Sequence, residues 1–475
     1  MVELTPDRIE AFAALEARFG DTLASLCALA RIPGVSAAGF DPSALESSAE
    51  AVAVHMRDAG LEHVEVLRVP GAHPYVVGDW LHARAGAPTA LIYAHHDVQP
   101  PGRPEKWLSP AFEPTLRADG RLYGRGVVDD KAGLMVHLAA LGACFAGSGT
   151  SPINVKLVVE GEEEIGSPHL EAFLRAHRER LAADVIVLSD TANLDAGIPS
   201  VTTSLRGLVV VDVRVRALDH PLHSGMWGGP VADSASALVR LLARLIDDRG
   251  VIQVPDIYDD VRALSADERA RLARLPFDEP AFREQAGLLT SGELAGELAF
   301  TAYERLWLRP SLAFTALEGV PLAGAANRLM EAASARVGLR LAPSQDAARA
   351  AKLLTEFLRR DPPNGVVVEV SVESASSGWE TNPVGPAFDA ARAALRGGFG
   401  RELAFIGCGG SIPFVGPFAE VLGGVPALLL GLEDPICNAH GENESLNLDD
   451  FHKAARAALH LYFELAAGVE SGARA

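Results

Sequence analysis

Four short apolar runs constrain this 475-residue chain most, because three of them end at or beside residues able to bind a cation. They are Ala90–Ala94, Ile153–Val159, Val185–Leu188 and Val425–Leu430, and they read as buried strands separated by helical patterns such as Ala132–Phe145 and Pro386–Arg396. Strand-length β-branched runs alternating with helices predict an α/β unit with a largely parallel sheet. His95 and Asp97 follow the first run, Glu160, Glu162, Glu163 and Glu164 the second, and Asp190 the third. In open α/β sheets, sites form beyond the carboxyl ends of the strands. Three strands therefore predict one shared edge rich in carboxylate and imidazole.

The middle of the chain follows a different period. Val209–Arg216 and Ala335–Leu341 alternate apolar and polar residues, as strands with one wet face do. Helical stretches Ser234–Ile246 and Asp346–Arg359 accompany them, which predicts a smaller α+β domain over 205–381, inserted between catalytic segments 1–204 and 382–475. Residues Val251–Arg305, rich in charge and helix formers, read as an elaboration of that insert.

Composition narrows the function class. Lys plus Arg number 42 against 62 Asp plus Glu, a formal charge of -20, so phosphate backbones are repelled and nucleic acid is not an expected partner. The stretch Met1–Arg18 lacks a basic start followed by an apolar run, so no signal peptide is read there. The longest apolar runs are strand-length, and no membrane span is expected. Four scattered cysteines, Cys27, Cys144, Cys408 and Cys437, form no CxxC pair and read as small core residues in a reducing compartment, the cytoplasm.

Each polar motif has an ordinary structural explanation when taken singly. His95 with Asp97 could be a satisfied polar pair, the Glu162–Glu164 run a solvated turn, Asp129–Asp130 a helix cap, Asp190 a turn residue and His440 a surface imidazole. Those explanations fail together once the residues share a sheet edge. Imidazole and carboxylate donors without a thiolate suit zinc, manganese or cobalt. A two-ion site needs a carboxylate that binds and an unbound one that takes a proton from water, and adjacent Glu163 and Glu164 offer that pair. Asp97 is spaced to orient the His95 ring. No G-x-S-x-G elbow and no phosphate-binding P-loop motif is present.

Several segments together resemble the M20 metallopeptidases, and within them the cytosolic non-specific dipeptidase and carnosinase branch. They are His95–Pro100, Leu122–Gly126 leading into Asp129–Lys131, Glu160–Ser167, Ser189–Asp190, Leu205–Gly207, Leu222–Gly225, Gly409–Pro413 and Asn438–His440. The resemblance implies a two-domain metallohydrolase whose ferredoxin-like insert acts as a lid and dimerisation domain. It implies two divalent ions, zinc in the first place, with manganese or cobalt as alternatives. His95, Asp129 and Asp190 would hold one ion and Asp129, Glu164 and His440 the other, with Asp129 bridging before a cis peptide to Asp130. Glu163 would be the general base and His223 the oxyanion stabiliser, supplied by the partner subunit in dimeric members. Arg340, with Gly410 and Ser411, would bind the substrate's terminal carboxylate. Asp190, where deacylating branches carry Glu, favours dipeptides or short peptides over N-acyl or N-carbamoyl amino acids. Two departures concern substrate contact: Gly407–Cys408 replaces Arg-Glu of the carnosinase branch, and Ser374–Trp379 replaces its Gly-His-Gly element.

Overall fold

The computed structural model describes residues 5–472 except 320, 321, 324, 413 and 414, so Pro413 of the Gly409–Pro413 motif lies outside the described residues. The chain divides into two compact units.

The first unit comprises Met1–Thr203, Asn382–Ile406 and Phe414–Ala475. Its centre is four parallel strands in the order Asn154–Glu160, Thr89–His95, Val185–Ala192 and Ala427–Glu433. Antiparallel neighbours flank them: Tyr75–Trp80 on one side, and Ser200–Leu205 on the other. The central strands are apolar almost throughout because helices cover the sheet, and Leu91, Ile92, Leu157 and Val187 have no exposure. The core includes helices Pro6–Ala30, Lys131–Ser148, Pro386–Phe399 and the long helix beginning at Leu448.

Helix Lys131–Ser148 is long and apolar enough, by length and composition, to cross a membrane, a candidate that run-length reading of the sequence passed over. Two-thirds of it is buried. A helix apolar on all sides is what a position inside a protein core requires.

The second unit comprises Ser204–Thr381 and Gly407–Pro413. Its four strands run antiparallel in the order Ser311–Glu318, Ala332–Leu341, Gly207–Arg216 and Val367–Ser376. Helix Ser234–Leu242 follows the Gly207–Arg216 strand and Ala347–Arg359 follows the Ala332–Leu341 strand, which is the ferredoxin-like βαββαβ order. Period-two patterning explains the sheet: Val209, Val211, Val213 and Val215 are fully buried against Leu238, Leu241 and Leu354, while Arg214 and Arg216 are exposed. The segment expected to be an elaboration forms short helices Ala266–Leu272, Glu279–Gln285 and Ala302–Trp307, the first and third closed by capping boxes. Gly407–Pro413 joins this unit because Arg206 Nε donates to the Gly409 carbonyl at 2.9 Å and Ser411 Oγ donates to the Arg206 carbonyl at 2.6 Å. The sequence reading had left that stretch with the first unit.

Candidate metal centre

His95 is the last residue of its strand, and Glu160 pairs with it as the last residue of the neighbouring strand. Asp190 lies inside the third strand, which runs on to Ala192, where the sequence pattern had put it just past the strand. Pairing with Ala427–Glu433 shifts register there, from Leu188 opposite Leu429 to Thr191 opposite Gly431, so the extra residue forms a bulge at Ser189–Asp190. Bulges re-aim side chains at sheet ends beside functional sites. Glycine at 133 lets a helix approach this tip closely, since a Cβ there would come within 2.6 Å of the Ser189 carbonyl oxygen.

Seven of the candidate residues fall in the first unit and converge. His95, Asp129 and Asp190 place one donor atom each within 4.8 Å of one another, and so do Asp129, Glu164 and His440. Asp129 belongs to both groups: Oδ1 lies 3.0 Å from His95 Nε2 and Oδ2 lies 2.9 Å from His440 Nε2. Asp190 Oδ2 is 3.7 Å from His95 Nε2, and Glu164 Oε2 is 3.2 Å from His440 Nε2. A tetrahedral ion with bonds of about 2.0–2.1 Å spaces its ligands roughly 3.3 Å apart, so both triads have the dimensions of a coordination sphere. The Asp129–Asp130 peptide is cis.

Neighbouring groups orient these donors. Fully buried Asp97 offers its carbonyl to His95 Nδ1 at 3.1 Å, which turns Nε2 toward Asp129. Its carboxylate accepts the backbone N–H groups of Glu163 and Glu164 at 3.2 and 3.0 Å, so Asp97 also ties down the turn carrying both glutamates. Gln99, which sequence reasoning missed, donates from its backbone N–H to Glu164 Oε1 at 3.1 Å and from Nε2 to Oε2 at 2.8 Å. Glu162 is held away from the cluster by Tyr75 Oη at 2.8 Å and the His169 N–H at 3.0 Å.

The electrostatics are those of an anionic cluster short of positive charge. Burial pushes the Asp190 carboxyl up to about 6. Burial also pushes Glu163 well above the ordinary carboxylate range, with the charges of Asp190, Glu164 and Asp129 adding to it. Glu433, at the end of the fourth central strand, is pushed up by burial and by Asp129 and Asp190 in the same way. Sequence reasoning missed it although it lies three residues past the run Val425–Leu430, where the rule that located the other acids would have found it. Hydrogen bonds to Asp129 and Glu164 raise the His440 imidazole to about 11. Acids this crowded are costly in a buried site unless cations compensate them, so the donor set fits divalent ions in both triads.

The remaining candidates belong to the second unit. Arg340 Nη1 donates to Ser411 Oγ at 2.8 Å, which joins the arginine to the loop containing Gly410. His223 is exposed on the short ribbon formed by Leu222–His223 and Arg328–Leu329, where its Nδ1 accepts from the Gly225 N–H at 3.1 Å. Cys144 and Cys437 are buried as expected, whereas Cys27 and Cys408 are only half-buried, and Cys408 accepts from the Gly410 N–H through its sulfur.

Comparison with known proteins gives this geometry a family. The sequence matches peptidase family M20/M25/M40 over residues 91–464. The cysteinylglycine-S-conjugate dipeptidase of Corynebacterium striatum is 33% identical over 417 residues, spanning 86% of this chain and 88% of its own. The crystal structure of human carnosine dipeptidase 1 superposes over 97% of this chain and 99% of its own, with a TM-score of 0.82 and 25% identity. The M20 family metallo-carboxypeptidase Sso-CP2 of Sulfolobus solfataricus covers 94% of this chain and 99% of its own, with a TM-score of 0.81 and 27% identity. The chain belongs to peptidase family M20/M25/M40.

Proposed function

We propose that the protein is a metallodipeptidase that hydrolyses the amide bond of dipeptides or short peptides, with two divalent ions held by His95, Asp129, Glu164, Asp190 and His440. The observation that carries this reading is the Asp129 carboxylate, whose two oxygens face two imidazoles 3.0 and 2.9 Å away, with Glu163 in the same acidic cluster. Ions bound there supply Lewis acidity that activates water and polarises the scissile carbonyl. Zinc is the ion best suited to this donor set, and manganese and cobalt share its preference for imidazole and carboxylate.

Glu163 takes a proton from the attacking water and returns it to the leaving amine. Burial makes its carboxyl a stronger base than an exposed glutamate once the nearby charge is balanced. Asp97 and Gln99 keep the glutamate turn and the His95 ring in place. His223 stabilises the oxyanion that forms on the attacked carbonyl. Arg340 pairs with the substrate's terminal carboxylate, with Gly410 and Ser411 beside it; a guanidinium fork matches that group. We further propose a homodimer in which the insert covers a metal centre, and a cytoplasmic location in keeping with four free cysteines.

The deciding experiment is a panel of dipeptides, including Cys-Gly and β-Ala-His, assayed beside N-acetyl and N-succinyl amino acids. The enzyme is first chelated, then given zinc, manganese or cobalt. Dipeptide turnover restored by metal supports the reading. Turnover confined to the N-acyl compounds, or untouched by chelation, overturns it.

A further inference from the structure

His440 sits in a loop whose conformation must be imposed from outside. Between strands Ala427–Glu433 and Ser445–Asn447, residues Asn438, His440 and Asn443 have φ values of 55, 64 and 63°. This is the left-handed region, which asparagine tolerates and histidine adopts uncommonly. The loop is pinned at both ends by buried ion pairs to one stretch of chain, residues 121–125. At its start, Arg121 Nη1 and Nη2 grip Asp434 at 2.8 and 3.1 Å. At its end, Arg125 Nη1 donates to Glu444 at 2.7 Å.

The second pair does more than close the loop. Glu444, with no exposure, also accepts the backbone N–H groups of Gly126, Val128 and Asp129 at 2.9, 3.1 and 3.4 Å. Arg125 Nη2 reaches the carbonyls of Pro100, His440 and Gly441 at 3.1, 3.1 and 3.0 Å. One buried pair thus contacts the backbone of the bridging aspartate, the backbone of the second imidazole ligand, and the residue after Gln99, which orients Glu164. The first two are ligands of the Asp129–Glu164–His440 triad, and the third adjoins the residue that orients its remaining ligand. His95 and Asp190 stand instead on strands of the central sheet.

We propose that Arg125 and Glu444 are positioning residues for the Asp129–Glu164–His440 pocket, so that breaking the pair weakens that pocket's hold on its ion more than that of the His95–Asp129–Asp190 pocket, which shares only Asp129 with it. The proposal rests on the reading that both pockets bind ions. The contrary view is that the pair matters only to the fold, since removing one partner of a buried ion pair is destabilising in itself.

The test strips the full-length protein of metal and titrates it with Co2+ under equilibrium dialysis, counting ions per chain and recording the visible spectrum. The variants are Glu444→Gln, Arg125→Lys and, as a reference, His440→Ala. Wild type should bind two ions. Glu444→Gln should weaken the ion of the Asp129–Glu164–His440 pocket by about 10- to 100-fold, the range for losing a group that orients a ligand, and the other ion by less. Its spectrum should match that of His440→Ala. Arg125→Lys keeps the charge on Glu444 but gives up the grip on three carbonyls, and should show the same selective loss to a smaller degree. It also serves if the Gln variant fails to fold. Two ions at wild-type affinity in both folded variants, or equal weakening of both ions, overturns the proposal. Fewer than two ions in wild type overturns the two-ion reading itself, and this proposal with it.

Discussion

The two units place their polar residues by opposite means. In the first, several candidate side chains emerge where a buried sheet ends and are fixed from several directions: His95 and Asp97 have no exposure, and Asp97 alone engages His95, Glu163 and Glu164, whereas His440 on its loop is exposed. In the second, the candidates lie on an inner strand, in a loop and on a separate short ribbon, where His223 is exposed and has the Gly225 N–H as its hydrogen-bond partner. Rigid surroundings suit chemistry that needs donors held to fractions of an ångström, whereas an exposed imidazole or a guanidinium beside a loop suits contact with a substrate that comes and goes. On the proposed roles, proton transfer and metal binding fall to the first unit, and oxyanion stabilisation and substrate recognition to the second.

Substitutions in each unit can break that division. The largest effect is expected from Glu163→Gln, which should lower kcat by about 100- to 10,000-fold, the range for removing a general base. The ion count by elemental analysis should stay at two; near-normal turnover would remove Glu163 from the chemistry. His223→Ala should lower kcat by about 100- to 1,000-fold with little change in KM, as loss of an oxyanion donor does. Steady-state kinetics showing unchanged kcat would confine this unit to binding. Arg340→Ala should raise KM by about 10- to 100-fold, equivalent to a charge-assisted hydrogen bond of 1.5–3 kcal/mol. An amidated dipeptide should be insensitive to that substitution, and equal losses on free-acid and amidated substrates would contradict the assignment.

The smallest effect concerns stability within the insert. Arg262 bridges Glu268 and Glu380 at 2.8 Å each, and the hydrogen bond from Arg262 holds the Glu268 carboxyl down to about 2. A depressed carboxyl stabilises the fold above its unfolded value and loses that contribution as pH falls, here between about 4.5 and 2. Partial exposure screens the pair, so Glu268→Gln should cost at most about 1 kcal/mol at neutral pH. The gap to wild type in denaturant melts should close as pH falls through that window.

Much of the first unit was legible in the sequence because its central strands are continuous apolar runs and three of the five candidate ligands, His95, Glu164 and Asp190, sit at or near their ends. The run Ala90–Ala94 became the core of strand Thr89–His95, and Ile153–Val159 that of Asn154–Glu160. The valines at 209, 211, 213 and 215 made the second sheet equally plain. The bulge that puts Asp190 inside a strand was not legible, because it depends on pairing with residues more than 230 positions later. Nor was the role of Glu444, whose partners at Gly126, Val128 and Asp129 are 315 to 318 residues away. Such contacts leave no local spacing. Only the nearness of Arg125 to Asp129, and of Glu444 to His440, could have hinted at them. Gln99 was missed for a simpler reason, since an amide two residues past Asp97 resembles any polar loop residue.

The most direct test of the account is anomalous diffraction at the zinc edge from crystals of the full chain grown with zinc. The account predicts two peaks per chain, one bounded by His95, Asp129 and Asp190 and the other by Asp129, Glu164 and His440. A single peak, or peaks that leave Asp129 unshared, would contradict it.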